Sequence, residues 1–262
     1  MGEQRGYQPL DSTGRRALAD ALGDTPLTVI SAHLLRRGAC RAYVAGSPDR
    51  FRAAVIQDDN MPGEPLAIGS DVDLIWKLLQ SVDGWACIEL DSDLAGPMGK
   101  IMQAHTGRPV RYHGDMYHAL TQPAVVSPHS AVRRLILDDL PLFESAPAEL
   151  CVNGFGGVAR LLEEGFAAGA VVDGRLVAVA HTYAISPRHA DIGVFTLDDF
   201  RGRGLCTAAA GIVAECVQAS GRTPVWSTGE DNRASLRVAR KVGFREVARR
   251  MYVIPVDAQR RT

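Results

Sequence analysis

The chain has 262 residues, of which 46% are hydrophobic and 23% charged, and its formal net charge is −1. This composition is ordinary for a globular protein and excludes a disordered chain, while the length suits two domains of roughly 100–200 residues each. The balanced charge excludes binding of nucleic acid or of an anionic membrane through a general basic field, so any anion must be recognised locally.

Cysteine usage and the amino terminus predict the compartment. Five cysteines are scattered along the chain with no C-x-x-C spacing, which predicts free thiols in a reducing environment, and we expect the cytoplasm. The first residues, MGEQRGYQPLDSTG, lack the apolar segment of a signal peptide. No run approaches the roughly 18 apolar residues of a membrane span. We therefore expect neither a leader peptide nor a membrane partner.

The amino-terminal half predicts strands that alternate with helices. ACRAYVAG and RFRAAVIQ predict a hairpin, and SDVDLIWKLLQSV predicts a helix with Ser70 or Asp71 as its cap. WACIEL predicts a strand, and LAGPMGKIMQAHTG and RPVRYHGDMYHAL predict a helix and a further strand. The two prolines of TQPAVVSPHS predict a linker. We expect domains at residues 1–126 and 127–262.

The carboxyl-terminal half begins with a strand in AVRRLILDDL, and two short helices are predicted in LPLFESAP and GGVARLLEEG. GAVVDGRLVAVAHTYAI predicts a hairpin around Asp173 and Gly174, because both residue types tolerate positive φ. A strand in ADIGVFTL, an Arg/Gly stretch and a helix in LCTAAAGIVAECVQASG follow. PVWST predicts a strand, NRASLRVARKVGF a helix from Asn232 to Gly243, and FREVARRMYVI the last strand.

The Arg/Gly stretch DFRGRG, between a predicted strand and a predicted helix, indicates an anion-binding loop. Glycines let main-chain N–H groups approach a ligand, and the first turn of a helix leaves N–H groups unpaired. An Arg/Gly turn alone is common on protein surfaces. The preceding strand, the following helix and a capped helix that ends in Gly-Phe about 40 residues later favour the binding function.

This order of elements resembles the GCN5-related N-acetyltransferase (GNAT) superfamily over about residues 131–254. This sequence matches the family's loop R-G-x-G-[I/L]-[G/A] except at the sixth position, where it has Cys206. The family's later signature, an Asn that opens a helix ending in Gly-Phe, is matched by Asn232, Gly243 and Phe244. The resemblance implies an α+β fold with a mixed, mainly antiparallel sheet flanked by helices. It also implies that the loop binds the pyrophosphate of acyl-CoA, and that Phe195 and Thr196 offer backbone groups to the pantetheine arm. The loop residues that match are Arg201, Gly202, Arg203, Gly204 and Leu205.

The activity implied by the resemblance is transfer of an acyl group, here acetyl, from acetyl-CoA directly to a primary amine of a small molecule or peptide. Asp191 occupies the position of the acidic base in several members of the family, although a solvated carboxylate at a strand end is the alternative. The family's Tyr acid is replaced by Ala239. Ser235 is a candidate to hydrogen-bond the sulfur or a phosphate, and no metal is expected.

Three further residues have two interpretations each. Cys206 is small enough to pack in the first helical turn, and a helix N-terminus can also acidify a thiol. His181 and Tyr183 alternate onto one face of the predicted hairpin. They line either the acceptor cleft or the core.

The amino-terminal half repeats the order of elements of the carboxyl-terminal half from the hairpin onward, and DMYHAL echoes RMYVIP. We expect a degenerate GNAT-like copy that superposes about residues 40–120 on 169–254. Independent adoption of the same order is the alternative. No R-x-x-G-x-G precedes its first helix, so we expect this half to bind no pyrophosphate in the same manner.

Competing functions rest on fewer residues. GFGGVA fits the dinucleotide motif G-x-G-x-x-A of a dehydrogenase, but SAPAELCVN before it is no buried strand, so a loop that borders the acceptor site is favoured. His113 and Asp115 alternate away from His118 on a strand, which disfavours a shared metal. A protein that binds acyl-CoA without turnover would keep the loop and lack the base. The acceptor, the acyl chain length and the oligomeric state are not predicted.

Overall fold

The protein is described here by a computed structural model covering residues 6–256. Its elements confirm the predicted α+β class, with mainly antiparallel strands flanked by helices. Short 3₁₀ helices occur at Leu137–Asp139, Ala148–Leu150 and Asp198–Phe200. The helices are α1 Ser12–Ala21, α2 Val29–Arg37, α3 Val72–Leu79, α4 Ser92–Thr106, α5 Leu140–Glu144, α6 Val158–Glu164, α7 Leu205–Ala219 and α8 Arg233–Val242. The strands are β1 Cys40–Ser47, β2 Arg50–Asp58, β3 Leu66–Gly69, β4 Ile88–Asp91, β5 Val110–Ala119, β6 Val132–Leu135, β7 Ala167–Val172, β8 Arg175–Ile185, β9 His189–Thr196, β10 Thr223–Gly229 and β11 Arg245–Pro255.

Two compact units divide the chain, and neither is a single continuous segment. The first comprises the described residues up to Gly23, Leu34–Asp115 and the described residues from Arg249. The second comprises Asp24–His33 and Met116–Ala248. The division of the sequence into domains 1–126 and 127–262 stays a prediction.

In the first unit the strands follow the order β1-β2-β3-β4-β11-β5. β11 lies antiparallel to β4, with Tyr252 opposite Glu89 and Arg250 opposite Asp91. The core forms where the apolar faces of α3 and α4 cover the sheet, and its members include Ile75, Met98 and Met102. The buried Arg250 guanidinium pairs with Glu89 and Asp91 and donates to the carbonyl of Ala67, so the charge buried in β11 is compensated.

In the second unit the strands follow the order β5-β10-β9-β8-β7-β6, and helices cover both faces of the sheet. α7 and α8 pack on one face through Val213, Val217 and Val242. α5 and α6 lie with Leu135 and Val179 on the other face. The small side chains of the alanine-rich α7 let this helix approach the sheet closely.

Several local predictions are confirmed by backbone geometry. Asp173 and Gly174 both adopt positive φ, 50° and 73°, in the turn between β7 and β8. Asn232 caps α8 by accepting a hydrogen bond from the N–H of Ser235, and Gly243 ends that helix with φ 110°. Asp71, one of the two predicted caps, caps α3. Each of these is a short-range effect, which explains why the sequence alone predicts it.

The sequence analysis missed α1, α2 and the four-residue strand β3. β3 is too short to show alternation, and it is defined by its antiparallel pairing with β2. With β3 included, each half has the element order β-β-β-α-β-α-β from its hairpin onward, starting at β1 and at β7. The predicted repeat therefore holds for element order, and the first four of these strands also pair in the same sequence in both halves. The fifth strand is separated from the fourth in both halves, because β11 lies between β4 and β5 and β5 lies between β10 and β11.

The predicted linker packs against the second unit. The N–H of Val125 donates to the carbonyl of Val242 over 2.9 Å, and the N–H of Ala124 donates to Oε1 of Gln218 over 3.0 Å. A Cβ on Gly211 of α7 would lie 3.0 Å from the carbonyl oxygen of Val125. Glycine at this position lets the linker backbone cross α7 closely.

Asp24 connects the segment before α2 to the turn between β8 and β9 by hydrogen bonds. Its carboxylate accepts hydrogen bonds from Ser186 Oγ (2.7 Å) and from the N–H of Arg188 (2.9 Å), and Nδ1 of His189 lies 2.6 Å away. Burial alone would raise the pKa of this carboxyl, but the hydrogen bonds from His189, Ser186 and Arg188 outweigh burial and hold its pKa below 3.8. The ionised form is therefore the one that stabilises the fold.

We expect Asp24→Asn to reduce the free energy of unfolding at pH 7 by roughly 1–3 kcal/mol, because charge-assisted hydrogen bonds are lost. A depressed pKa contributes stability above the unfolded pKa, and this contribution is lost as pH falls through the folded pKa. Urea unfolding at pH 7 and pH 3 measures the difference, which should be smaller at pH 3. An equal difference at both pH values would contradict a role for the ionised carboxylate.

Candidate active site

A cleft of about 700 Å³ opens in the second unit between the end of β9, the Arg/Gly loop and α8. Both residues predicted to offer backbone groups, Phe195 and Thr196, line the cleft on the β9 side. The predicted loop residues 201–206 line it at the amino end of α7. Asn232 and Ser235 line it on α8. The structure thus brings together every predicted cofactor residue and one of the two predicted catalytic residues.

β9 and β10 diverge beside this cleft. Their parallel pairing runs from His189 opposite Thr223 to Asp191 opposite Val225 and stops there, although β9 continues to Thr196. Beyond Asp191 the backbone groups of β9 that would face β10 carry no ladder. A ligand arm of extended shape can hydrogen-bond to such an unpaired strand edge.

The Arg/Gly loop exposes its backbone to the cleft, and no side chain caps the start of α7. Gly202 and Gly204 have φ values of 78° and 82°, and a Cβ on either would meet no protein atom within 4 Å. Gly204 caps α7 without a side-chain hydrogen bond. The first helical bond runs from the N–H of Ala208 to the carbonyl of Gly204, and the described residues provide no acceptor for the three N–H groups before it. These N–H groups and the helix dipole form a site for an anion.

The corresponding helix of the first unit differs in this respect. The carboxylate of Asp71 accepts the N–H of Leu74 at the start of α3, and it also pairs with Arg52 at 2.9 Å. A carboxylate at this position occupies the N–H groups and repels an anion. This contrast disfavours an anion at the start of α3, and the pyrophosphate site at α7 stays a prediction.

Both loop arginines are already engaged by neighbours. Arg201 forms an ion pair of 2.7 Å with Asp198, and its Nε donates to the carbonyl of Thr196 over 3.3 Å. Arg203 donates to the carbonyl of Asp199 over 2.8 Å, and its guanidinium carbon lies 5.0 Å from the centroid of the Phe200 ring. These contacts hold the loop in shape and reduce the charge that Arg201 offers to a ligand.

Cys206 is packed rather than activated. Burial raises the pKa of its thiol to about 11, so the thiol is protonated at neutral pH. Thr196 Oγ1 is buried in the same wall of the cleft and has no partner at hydrogen-bond geometry within the described residues, although its proximity to the Cys206 thiol opposes the rise in the thiol pKa. A buried hydroxyl without a partner is unfavourable unless a ligand or water completes it. The acidified thiol considered above finds no support.

Asp191 lies at the point where β9 and β10 diverge and does not line the cleft itself. Its side chain is only 4% exposed, and Ser227 Oγ donates to its Oδ2 over 3.4 Å. Its neighbours across the sheet, Ala184 and Val225, pack with Val29 of α2. Burial raises the pKa of Asp191 to about 7, against the effect of hydrogen bonds from Ser227. The alternative of a solvated strand-end carboxylate is therefore wrong.

His181 and Tyr183 share the face of Asp191. A Cβ on Gly193 would lie 3.5 Å from the His181 ring and 3.9 Å from Cβ of Tyr183. Burial lowers the pKa of His181, so its neutral imidazole predominates at pH 7.

The stretch GFGGVA covers the face of the sheet that carries His181 and Tyr183, because the N–H of Gly154 donates to the carbonyl of Tyr183 over 3.1 Å. A 3₁₀ helix precedes this stretch and a seven-residue helix follows it, which is not the dinucleotide-binding arrangement.

On α8, Ser235 lines the cleft and Ala239 does not, since Ala239 is fully buried in the core. The indole N–H of Trp226 donates to Ser235 Oγ over 2.9 Å, and no described residue accepts the Ser235 hydroxyl hydrogen. This hydrogen can point into the cleft.

No group of three His, Cys, Asp or Glu side chains placed to hold a metal occurs within residues 6–256. No helix in that range is long and apolar enough to cross a bilayer.

Residues 138–252 match the family model described as GNAT acetyltransferase. These residues form a GNAT domain. Its matched region contains the diverging strands, the loop and the cleft. A search by sequence among curated proteins gave no match.

Solved structures resemble the chain over nearly its whole length, the GNAT domain included. A GCN5-related N-acetyltransferase-like protein from Streptococcus suis has a TM-score of 0.67 at 18% identity, covering 94% of this chain and 99% of its own. A GNAT-family protein from Novosphingobium aromaticivorans has a TM-score of 0.59 at 20% identity, with coverage of 90% and 100%. A tandem GNAT protein from the clavulanic acid biosynthesis pathway has a TM-score of 0.52 at 16% identity, with coverage of 95% and 98%. At these identities the likeness establishes the fold.

Sequence reasoning missed four contributors to this site, one of which is Ser227, the hydrogen-bond donor to Asp191. Val29 covers the surroundings of Asp191 from a helix that precedes the domain in sequence. Arg237 and Lys241 line the cleft from α8. Their spacing of four residues places both on one helix face. This spacing is the feature of the sequence that could have predicted a basic wall of the cleft.

Proposed function

We propose that this protein is an acetyl-CoA-dependent N-acetyltransferase that moves an acetyl group directly to the primary amine of a small-molecule or peptide acceptor. The observation that carries the proposal is the glycine loop at the uncapped start of α7, which lines one cleft with the end of β9, beyond the point at which β9 separates from β10. The scattered free cysteines favour action in the cytoplasm.

The cleft fits the donor by its own features. Anion-accepting N–H groups, an open space at Gly202 and Gly204, and the unpaired hydroxyl of Thr196 occur in one cleft. Acetyl-CoA, when bound, supplies a thioester as acyl donor. Loop residues 201–206 would hold its pyrophosphate, and the β9 backbone at Phe195 and Thr196 would hold its pantetheine arm.

Asp191 and Ser235 supply the proton transfers in this proposal. Asp191, in its ionised form, accepts a proton from the attacking amine through the Ser227 hydroxyl or one water, as the new N–C bond forms. The C–S bond breaks as the Ser235 hydroxyl donates a hydrogen bond to the departing sulfur, which takes up a proton from solvent. Binding of acyl-CoA without turnover is the alternative, and release of thiol from acetyl-CoA in the presence of an amine panel separates the two functions.

The loop is tested by a pair of glycines with the same backbone. Gly202 and Gly221 both have φ 78°, and neither Cβ would meet a protein atom within 4 Å, but Gly221 lies outside the cleft. Gly202→Ala should weaken acetyl-CoA binding at least about tenfold, because a methyl group keeps a phosphate from N–H donors whose charge-assisted bonds are worth about 1.5–3 kcal/mol each.

Calorimetry with acetyl-CoA measures the affinity of both variants. Gly221→Ala carries the same backbone strain of about 1–2 kcal/mol, so thermal stability should fall equally in the two proteins. Affinity should fall only in Gly202→Ala. Unchanged affinity in that variant, with the fold intact, would contradict the phosphate-binding role of the loop.

A further inference from the structure

The cleft has a basic wall that no motif predicted. Arg237 and Lys241 line it from α8, opposite the loop at the start of α7. Both side chains are exposed, and within the described residues neither has an ion pair or a side-chain hydrogen bond. Their positive charges are therefore not compensated by a neighbouring carboxylate.

The two walls of the cleft differ in the charge that they offer. On the loop side the Arg201 guanidinium is paired with Asp198, and Arg203 is held by the Asp199 carbonyl and the Phe200 ring. That side offers mainly N–H groups of the backbone. On the α8 side the two cations stand one helical turn apart and face the same cavity. A ligand that satisfies both walls carries two separate anionic groups.

We propose that Arg237 and Lys241 form a second phosphate subsite, which binds the 3′-phosphate of a coenzyme A thioester while the loop binds its pyrophosphate. The inference rests on the proposed function and assigns two further residues to the recognition of its donor. Free CoA thioesters carry this third phosphate, whereas the phosphopantetheine of an acyl carrier protein lacks it. The subsite thus selects the free thioester as donor.

The test is a double-mutant cycle between protein and ligand, read by calorimetry. Acetyl-CoA and acetyl-dephospho-CoA, which lacks only the 3′-phosphate, are titrated into the wild type and into the variant Arg237→Gln/Lys241→Gln. The wild type should bind acetyl-CoA about tenfold to a hundredfold more tightly, since each charged contact in a cleft is worth roughly one order of magnitude. The variant should bind both ligands with equal affinity, close to that of the wild type for acetyl-dephospho-CoA.

A matched control removes the same number of charges outside the cleft. Arg240→Gln/Arg245→Gln changes two exposed cations that do not line the cavity, so it should keep the wild-type preference and show only the weak effect of screened charges. A control that loses the preference equally would overturn the subsite in favour of a general field. Raising the salt concentration should reduce the preference in the wild type and leave the variant unchanged.

The remaining outcomes separate the inference from the proposed function. If the wild type binds acetyl-CoA but does not distinguish the two ligands, the subsite is wrong and the proposed function is unaffected. If the variant weakens both ligands equally, the two side chains contact the pyrophosphate instead, which also overturns the subsite. If the wild type binds neither ligand, the proposed function fails and the subsite with it.

Discussion

Asp191→Asn should lower the rate of acetyl transfer about 10²–10⁴-fold, which is the usual loss when a general base is removed. Asparagine keeps the shape of the side chain and cannot accept the amine proton. Acetyl-CoA affinity should stay the same, because Asp191 does not line the cleft that binds the donor. Steady-state rates and calorimetry on the same preparation measure both quantities.

The pH dependence gives the sharper evidence. Because the pKa of Asp191 is raised to about 7, the carboxyl is protonated and inactive below that pH. The wild-type rate should therefore rise through pH 7 along one limb. That limb should disappear in Asp191→Asn and persist in the control Asp138→Asn, whose side chain is exposed in the 3₁₀ helix Leu137–Asp139. A rate within about threefold of wild type across pH 6–9 would assign the base elsewhere, and catalysis would rest on positioning.

The same substitution should make the fold more stable at alkaline pH, by roughly 2–4 kcal/mol at pH 8. The pKa of Asp191 in the folded protein is about 7, against an ordinary value of 3.8 for an aspartate, so the folded state binds more protons than the unfolded state between these values. Stability of the wild type therefore falls as pH rises from about 4 to about 7, at about 1.4 kcal/mol per pKa unit. Asparagine removes this penalty because it does not ionise.

Urea unfolding at pH 4.5 and pH 8 measures this effect. The difference between wild type and Asp191→Asn should be small at the lower pH and full at the higher pH. Asp138→Asn should change stability little, because its side chain is exposed. If Asp191→Asn were no more stable than wild type at pH 8, the carboxylate would be solvated in the folded protein, which the packing of Val29, Ala184 and Val225 opposes.

Sequence predicts the part of the site that depends on short-range geometry. Gly204 at the start of α7 and Asn232 at the start of α8 act through their own backbone and near neighbours, so the motif and the structure agree. Phe195 and Thr196 follow from their place on β9. The resemblance to a known family added the expectation that their backbone groups are offered to a ligand.

The environment of Asp191 was beyond sequence reasoning, because it depends on contacts far apart in the chain. Val29 belongs to α2, a helix not predicted, and it covers residues more than 150 positions later. Tyr183 lies at an irregularity in the register of β8 and β9, and alternation alone cannot locate a bulge. Proximity of this kind changes a pKa without leaving a periodic pattern.

The place of β11 in the first unit also determines the order in which a growing chain can complete its structure. β4 is available early in synthesis, but the strand that pairs with it, through Arg250 to Val253, is made more than 150 residues later. Until then one edge of β4 has no partner from β11, and an open strand edge can pair with another chain. A chain released before β11 is made would thus expose this edge of β4 in its first unit, and such a chain could aggregate through it.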